Sequence, residues 1–199
     1  MTALPEHPAS RLPGVDHLLT IAEYLELGET EPGYTELIGG RLLMSPSPRP
    51  GHNIASFSLL EQLKPQLPGG RRGVQDIDVD LELTSPDQPG YSRRPGLVVA
   101  DGDAVARVDR EGGMLRASDL LLVVEIVSPG SKRIDTVDKR GEYADAGIPH
   151  YWIVDITEPV SLVACHLAGD FGYQDDGAVT GTFTATEPFP VRIDLAALH

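Results

Sequence analysis

One cysteine, Cys165, is all that the 199 residues contain. An internal disulfide is therefore excluded, and a reducing cytoplasm is the expected compartment. No apolar run approaches the roughly 20 residues needed to cross a bilayer, and no charged-then-apolar leader opens the chain, so no membrane partner is expected. Also missing are a glycine-rich phosphate loop, an internal repeat, a long low-complexity tract and any histidine or cysteine spacing of the zinc-binding kind. Cys165 and His166 are neighbours, but on a strand they point to opposite faces, which argues against a nucleophile and base pair. Basic residues are scarce: 16 Lys and Arg stand against 30 Asp and Glu, a formal charge of -14. The surface as a whole repels polyanions, so any contact with DNA must be local.

What the chain does have is a 41% apolar content, enough for a real core, in a length ordinary for one domain. Residues 1–14 are rich in proline and polar residues and read as a loose tail before a single domain over 15–199. Thr20-Ile21-Ala22-Glu23 is a capping-box pattern opening a short helix that Gly28 closes. Tyr34–Ile38 and Arg41–Met44, joined by Gly39-Gly40, read as a β-hairpin. Ile54, Phe57, Leu60 and Leu63 suggest a helix from Gly51 to about Pro65. From Val74 to Leu83 strict alternation predicts one half-buried strand, with Asp76, Asp78, Asp80 and Glu82 on its solvated face. Leu97–Ala100 is a short apolar strand, and Asp101–Ser118 reads as a polar excursion without regular structure. A strand ending near Val127, a helix over about 134–146 closed by Gly147 and Pro149, and a strand over Tyr151–Asp155 make a βαβ unit with parallel pairing. The rest, Val160–Leu167, Gly181–Thr186 and Phe189–Asp194, reads as short antiparallel strands, and Tyr151 and Trp152 read as core.

The functional signal is Glu125, a lone carboxylate inside the apolar run from Leu120 to Val127. Desolvating an unpaired carboxylate costs several kcal/mol, so this one must be neutral, paired with a cation or holding a metal. Asp135, Lys139 and Tyr143 fall at i, i+4 and i+8 and share one stripe of the following helix. Two readings stand side by side: a structural ion pair of Glu125 with Lys139 or an arginine, and a metal site. Arg93-Arg94 enters the strand expected beside Glu125 and reads either as a phosphate contact or as a solvated pair.

These residues resemble the Uma-type restriction endonucleases, a branch of the PD-(D/E)XK nuclease superfamily. The resemblance is carried by Tyr34–Leu42 with its Glu36, by Ser45-Pro46-Ser47-Pro48 with His52 following, by Val124–Pro129 with Asp135, Lys139 and Tyr143, and by Ala146–Asp155. It implies an α/β restriction-endonuclease-like core, with a mixed central sheet, flanking helices and a βαβ unit carrying the site. It also implies hydrolysis of a DNA phosphodiester with Mg²⁺, or Mn²⁺ in its place, by carboxylates that hold the metal and a lysine that attends the attacking water. Glu125 matches the metal-binding glutamate, Lys139 the lysine, and Glu36 the additional acid, these three being the catalytic set. His52, Arg93, Arg94 and Tyr143 are the expected substrate contacts.

The family's Pro-Asp pair falls on Pro95-Gly96, so one metal-binding carboxylate is absent. Asp101 lies about 16 Å further along an extended strand and cannot replace it. Asp80 is the expected substitute, as a second metal ligand, since Asp80 or Glu82 comes opposite Gly96 if the Val74–Leu83 strand pairs antiparallel with Leu97–Ala100. Gly96→Asp is then expected to restore a ligand. Gly96 favours a second reading, a nuclease fold that has lost its chemistry and binds or scaffolds, with a homodimer as one form. Retention of Glu36, Glu125 and Lys139 favours the enzyme, since hydrophobic residues can replace a buried charge cluster at little cost.

Overall fold

The computed structural model describes residues 17–28, 34–45, 47–127 and 137–198. The tail over 1–14 and Asp135 lie outside the described residues.

The first helix, α1 (Ile21–Leu27), carries the expected capping box: Thr20 Oγ1 accepts from the Glu23 N–H, and the Glu23 carboxylate accepts from the Thr20 N–H. The hairpin of β1 (Tyr34–Ile38) and β2 (Arg41–Ser45) turns through Gly39 and Gly40, both at positive φ. A side chain at Gly40 would collide with Leu18 and the Leu19 backbone, so the turn and the close approach of the chain before α1 both require glycine.

Helix α2 (Pro50–Leu63) forms where expected but turns differently. Ala55, Ser56, Leu59 and Leu63 face inward, while Ile54 and Phe57 are 48% and 55% exposed. The reason is geometric. Residues three apart slip around a helix of 3.6 residues per turn, so the apolar series starting at Ile54 cannot remain on one face.

The predicted strand over Val74–Leu83 is two strands in different sheets. Arg71–Gln75 (β3) breaks at Asp76, where φ is +48°, and Val79–Asp80 (β4) follows, with Glu82 at φ +52°. Alternation alone cannot reveal such a break, because Val79 and Leu81 are buried as the pattern demands. Strand β5 (Ser92–Arg93) precedes β6 (Leu97–Asp101). Part of the polar excursion is helix α3 (Gly102–Glu111): the Asp101 carboxylate caps it by accepting from the Asp103 and Ala104 N–H groups. Strand β7 (Leu115–Arg116) then leads to β8 (Leu120–Val127).

Helix α4 (Lys139–Asp145) connects β8 to β9 (His150–Asp155), and these strands pair in parallel as expected, with Glu125 opposite Ile153. Strands β10 (Ser161–Leu167), β11 (Tyr173–Thr180), β12 (Thr182–Ala185) and β13 (Val191–Asp194) complete the chain with antiparallel pairings. Among the described residues three sheets result, ordered β2-β1-β5-β4-β7, β11-β10-β9-β8-β6-β3 and β12-β13. One face of the six-stranded sheet packs Leu97, Val99, Leu122, Val124, Ile126 and Trp152 beneath α2 and the β12–β13 hairpin. The other packs Val98, Val123 and Val127 against Tyr143, Ile148 and Tyr151. Side chains alternate along a strand, so Glu125 shares the face of Val123 and Val127, the one that α4 covers. No helix among the described residues is long and apolar enough to cross a membrane.

Candidate active site

Glu125 is 4% exposed and is held from α4. Lys139 Nζ donates to its Oε1 at 2.8 Å, and the Tyr143 hydroxyl donates to the same oxygen at 2.8 Å. The two donors sit four residues apart on α4, which brings both to one face. Glu36, on β1, completes the bracket: its Oε1 lies 3.4 Å from Lys139 Nζ. The expected convergence of Glu36, Glu125 and Lys139 is thus present, with the ammonium between two carboxylates.

A second layer fixes Glu36. Its Oε2 accepts from Arg93 Nη1 at 2.8 Å, and its Oε1 accepts from the Arg94 backbone N–H at 3.1 Å. The other edge of the Arg93 guanidinium forks onto Glu142, Nε to Oε2 at 2.6 Å and Nη2 to Oε1 at 2.8 Å. Such planar two-point pairing is specific to arginine. Glu142 lies three residues beyond Lys139 on α4, so one helical turn supplies a cation, an anion and a phenol to the same cluster. Sequence reasoning missed it, because its signal is only its i+3 spacing from Lys139 and becomes meaningful once Arg93 is known to be buried.

The charge balance follows from these contacts. Burial pushes the Glu36 carboxyl up, but Lys139, Arg93 and the Arg94 N–H outweigh it and hold the group below the ordinary glutamate range. Glu36 is therefore ionised at neutral pH. Burial, with the Glu125 charge behind it, drives the Tyr143 phenol well above its usual range, so it remains a donor. Of the two readings of Glu125, the geometry displays the ion pair, with Lys139 as the partner.

Several expected contacts need correction. Arg93 is 2% exposed and its guanidinium is spent on Glu36 and Glu142, so it is not a solvent-facing phosphate contact. Tyr143 is fully buried, with its hydroxyl on Glu125 and its ring edge-on to Tyr151, which leaves no face for substrate. Asp80 does not join the cluster. It pairs with Ser92 across the β4–β5 ladder and so shares the face of Ser92, whose hydroxyl reaches Met114, whereas the adjacent Arg93 faces Glu36. Its carboxylate caps the Glu82 N–H and is pushed up chiefly by burial. Gly96 is also not as expected: a Cβ there would lie 3.5 Å from the His52 ring and from Ile126 Cγ1, on the α2 side of the sheet. Ser56 Oγ holds this corner by donating to the Gly96 carbonyl at 3.0 Å.

Arg94 is partly exposed. It forks onto Asp78 at 2.8 and 3.0 Å and stacks 4.4 Å over the Tyr34 ring. His52, near the start of α2, is also partly exposed beside Gly96.

The donor set can be tested against a metal. Among the described residues no group of three or more His, Cys, Asp or Glu side chains is close enough to hold one, which is the pattern of a closed zinc site. Two carboxylates bracketing one cation is a different pattern, and it suits Mg²⁺, which takes one or two carboxylates and keeps much of its water.

No curated protein matches the chain. Among solved structures, a "putative nuclease belonging to DUF820" from Anabaena variabilis ATCC 29413 aligns with 90% of this chain and 97% of its own, at 18% identity and a TM-score of 0.63. That likeness gives the fold, a restriction-endonuclease-like mixed α/β core. The family model described as Uma2, "Putative restriction endonuclease", matches residues 21–197, from the first helix to the last turn, and the chain belongs to that family.

Proposed function

We propose that this protein is a metal-dependent nuclease that hydrolyses a phosphodiester of DNA in the cytoplasm, with its site at Glu125, Lys139 and Glu36. The observation that carries the reading is the Lys139 ammonium held between two buried carboxylates at the end of the βαβ unit. Family membership supports the same reading. Glu125, with Glu36 as the second acid, would hold Mg²⁺ or Mn²⁺, and the ion would neutralise phosphate charge and acidify a water. Tyr143 fixes the Glu125 carboxylate in one orientation, and Arg93 and Glu142 fix that of Glu36, so neither acid must reorganise as charge builds up. Lys139, beside both acids, would supply a proton donor and positive charge toward the scissile phosphate. Arg94 and His52, at the exposed rim, are the groups placed to touch the nucleic acid backbone.

Plasmid nicking in Mg²⁺ and Mn²⁺ tests this. Wild type is expected to nick and Glu125→Ala to be inert; equal nicking by both would remove Glu125 from the chemistry. The glycine at position 96 favours a second reading, a binding or scaffolding protein on a nuclease fold, acting as a homodimer. That reading gains if wild type neither binds Mn²⁺ nor nicks but sediments as a dimer.

A further inference from the structure

The cluster contains two kinds of cation. Arg93 is clamped on both edges, by Glu36 and by Glu142. Lys139 is a single point charge on an unbranched stem, 2.8 Å from Glu125 Oε1 and 3.4 Å from Glu36 Oε1. An ammonium on four methylenes can rotate away from the Glu125 and Glu36 oxygens as a single point charge, whereas the arginine fork cannot move without breaking three planar hydrogen bonds.

The ammonium occupies the seat that the nuclease reading gives to a divalent ion. A metal and an ammonium cannot share it, because both would lie within contact distance of the same oxygens and repel. We propose that Lys139 is the resident counter-ion of this seat, that a divalent cation enters by displacing it, and that the released ammonium then meets a phosphate oxygen. The proposal rests on the metal-dependent reading above. It adds to the rim contact of Arg94 a second positive contact in a chain with a formal charge of -14, and that second contact exists only after metal has entered. Metal binding would precede DNA binding.

The test is Mn²⁺ binding by calorimetry, on the full chain without DNA. Lys139→Met should bind Mn²⁺ about tenfold or more tightly than wild type, since the competitor is gone. Equal or weaker binding by a folded Lys139→Met overturns the exchange, because a lysine that cooperates with the metal would not hinder it. The variant leaves the buried acids one positive charge short and can lose stability, so wild type supplies a second measurement. The chain has three lysines, Lys64, Lys132 and Lys139, and Lys64 is exposed. Acetic anhydride labelling read by mass spectrometry should rise several-fold at Lys139 on adding saturating Mn²⁺, with Lys64 unchanged as the reference. Unchanged or lower labelling of Lys139 while calorimetry shows Mn²⁺ bound removes the exchange and leaves the metal reading intact. If neither wild type nor folded Lys139→Met binds Mn²⁺, both fall together.

Discussion

The two sides of the β6–β8 pair differ in how they are filled. On the α4 side, Glu125, Lys139, Glu36, Arg93 and Glu142 form a closed run of charge in which every carboxylate has a cation within 3.4 Å. On the α2 side, the corner at Gly96 holds no charged side chain of its own and is bordered by the His52 ring and Ile126. Charge buried without a partner is costly, so the first side must be complete to exist at all, while the second tolerates deletion to a glycine. Position 96 can therefore be a glycine without disturbing the cluster that contains Glu125.

The largest expected effect comes from breaking the crowded side. Glu125→Ala strands Lys139 with the more distant Glu36 and leaves the Tyr143 hydroxyl unpaired in the core. Urea denaturation should show a loss of about 3–5 kcal/mol. Glu125→Gln, which keeps shape and an acceptor oxygen, should lose clearly less, and equal losses would mean that packing rather than charge governs the site.

The packing that supports the two sides gives the next contrast. Leu59→Ala on the buried face of α2 should cost about 2–5 kcal/mol, whereas Phe57→Ser on its exposed face should stay within about 0.5 kcal/mol. The reverse order would refute the observed rotation of α2.

A smaller effect should appear in acid. The Glu36 carboxyl is held below the ordinary range, so its contribution to stability is fully present above its unfolded value of about 4.3 and is lost as pH falls through the folded value. Stability curves of wild type and Glu36→Gln should therefore converge below about pH 4. Curves that stay parallel throughout would show that Glu36 contributes no proton linkage.

The smallest effect is expected on the open side. Gly96→Asp meets only van der Waals contacts at 3.5 Å, so it should fold, and its Cβ would lie beside His52 and Ile126, on the face opposite the Glu125 cluster. Mn²⁺ affinity should change by less than about tenfold. A larger gain would mean that the two sides share a metal after all.

Much of this was legible in the sequence. Thr20 with Glu23, Gly39-Gly40 and the βαβ unit announce themselves locally, through a cap, a turn and an apolar run. A lone glutamate in such a run foretold a partner, and the helical spacing named Lys139 as one; Tyr143 shares that stripe but was expected on substrate rather than on Glu125. What escaped depends on contacts far apart in the chain. Arg93 joins Glu142 across 49 residues and Glu36 across 57, and no local pattern distinguishes it from Arg94, whose side chain goes to the surface. The break at Asp76 escaped because a positive φ at an aspartate leaves the alternation of its neighbours intact. Asp80 was misplaced for the same reason, since it follows the break into another sheet.

The parentage of the cluster has a further consequence. Glu36 and Arg93 belong to the five-stranded sheet, Glu125 to the six-stranded one, and Lys139 and Glu142 to the helix between them in space. The cluster is thus a weld between two sheets, and neither sheet alone can assemble it. Fraying of the short α4 would release the weld, so amide exchange at β1 and β5 should report on the state of a cluster that also holds a glutamate on β8.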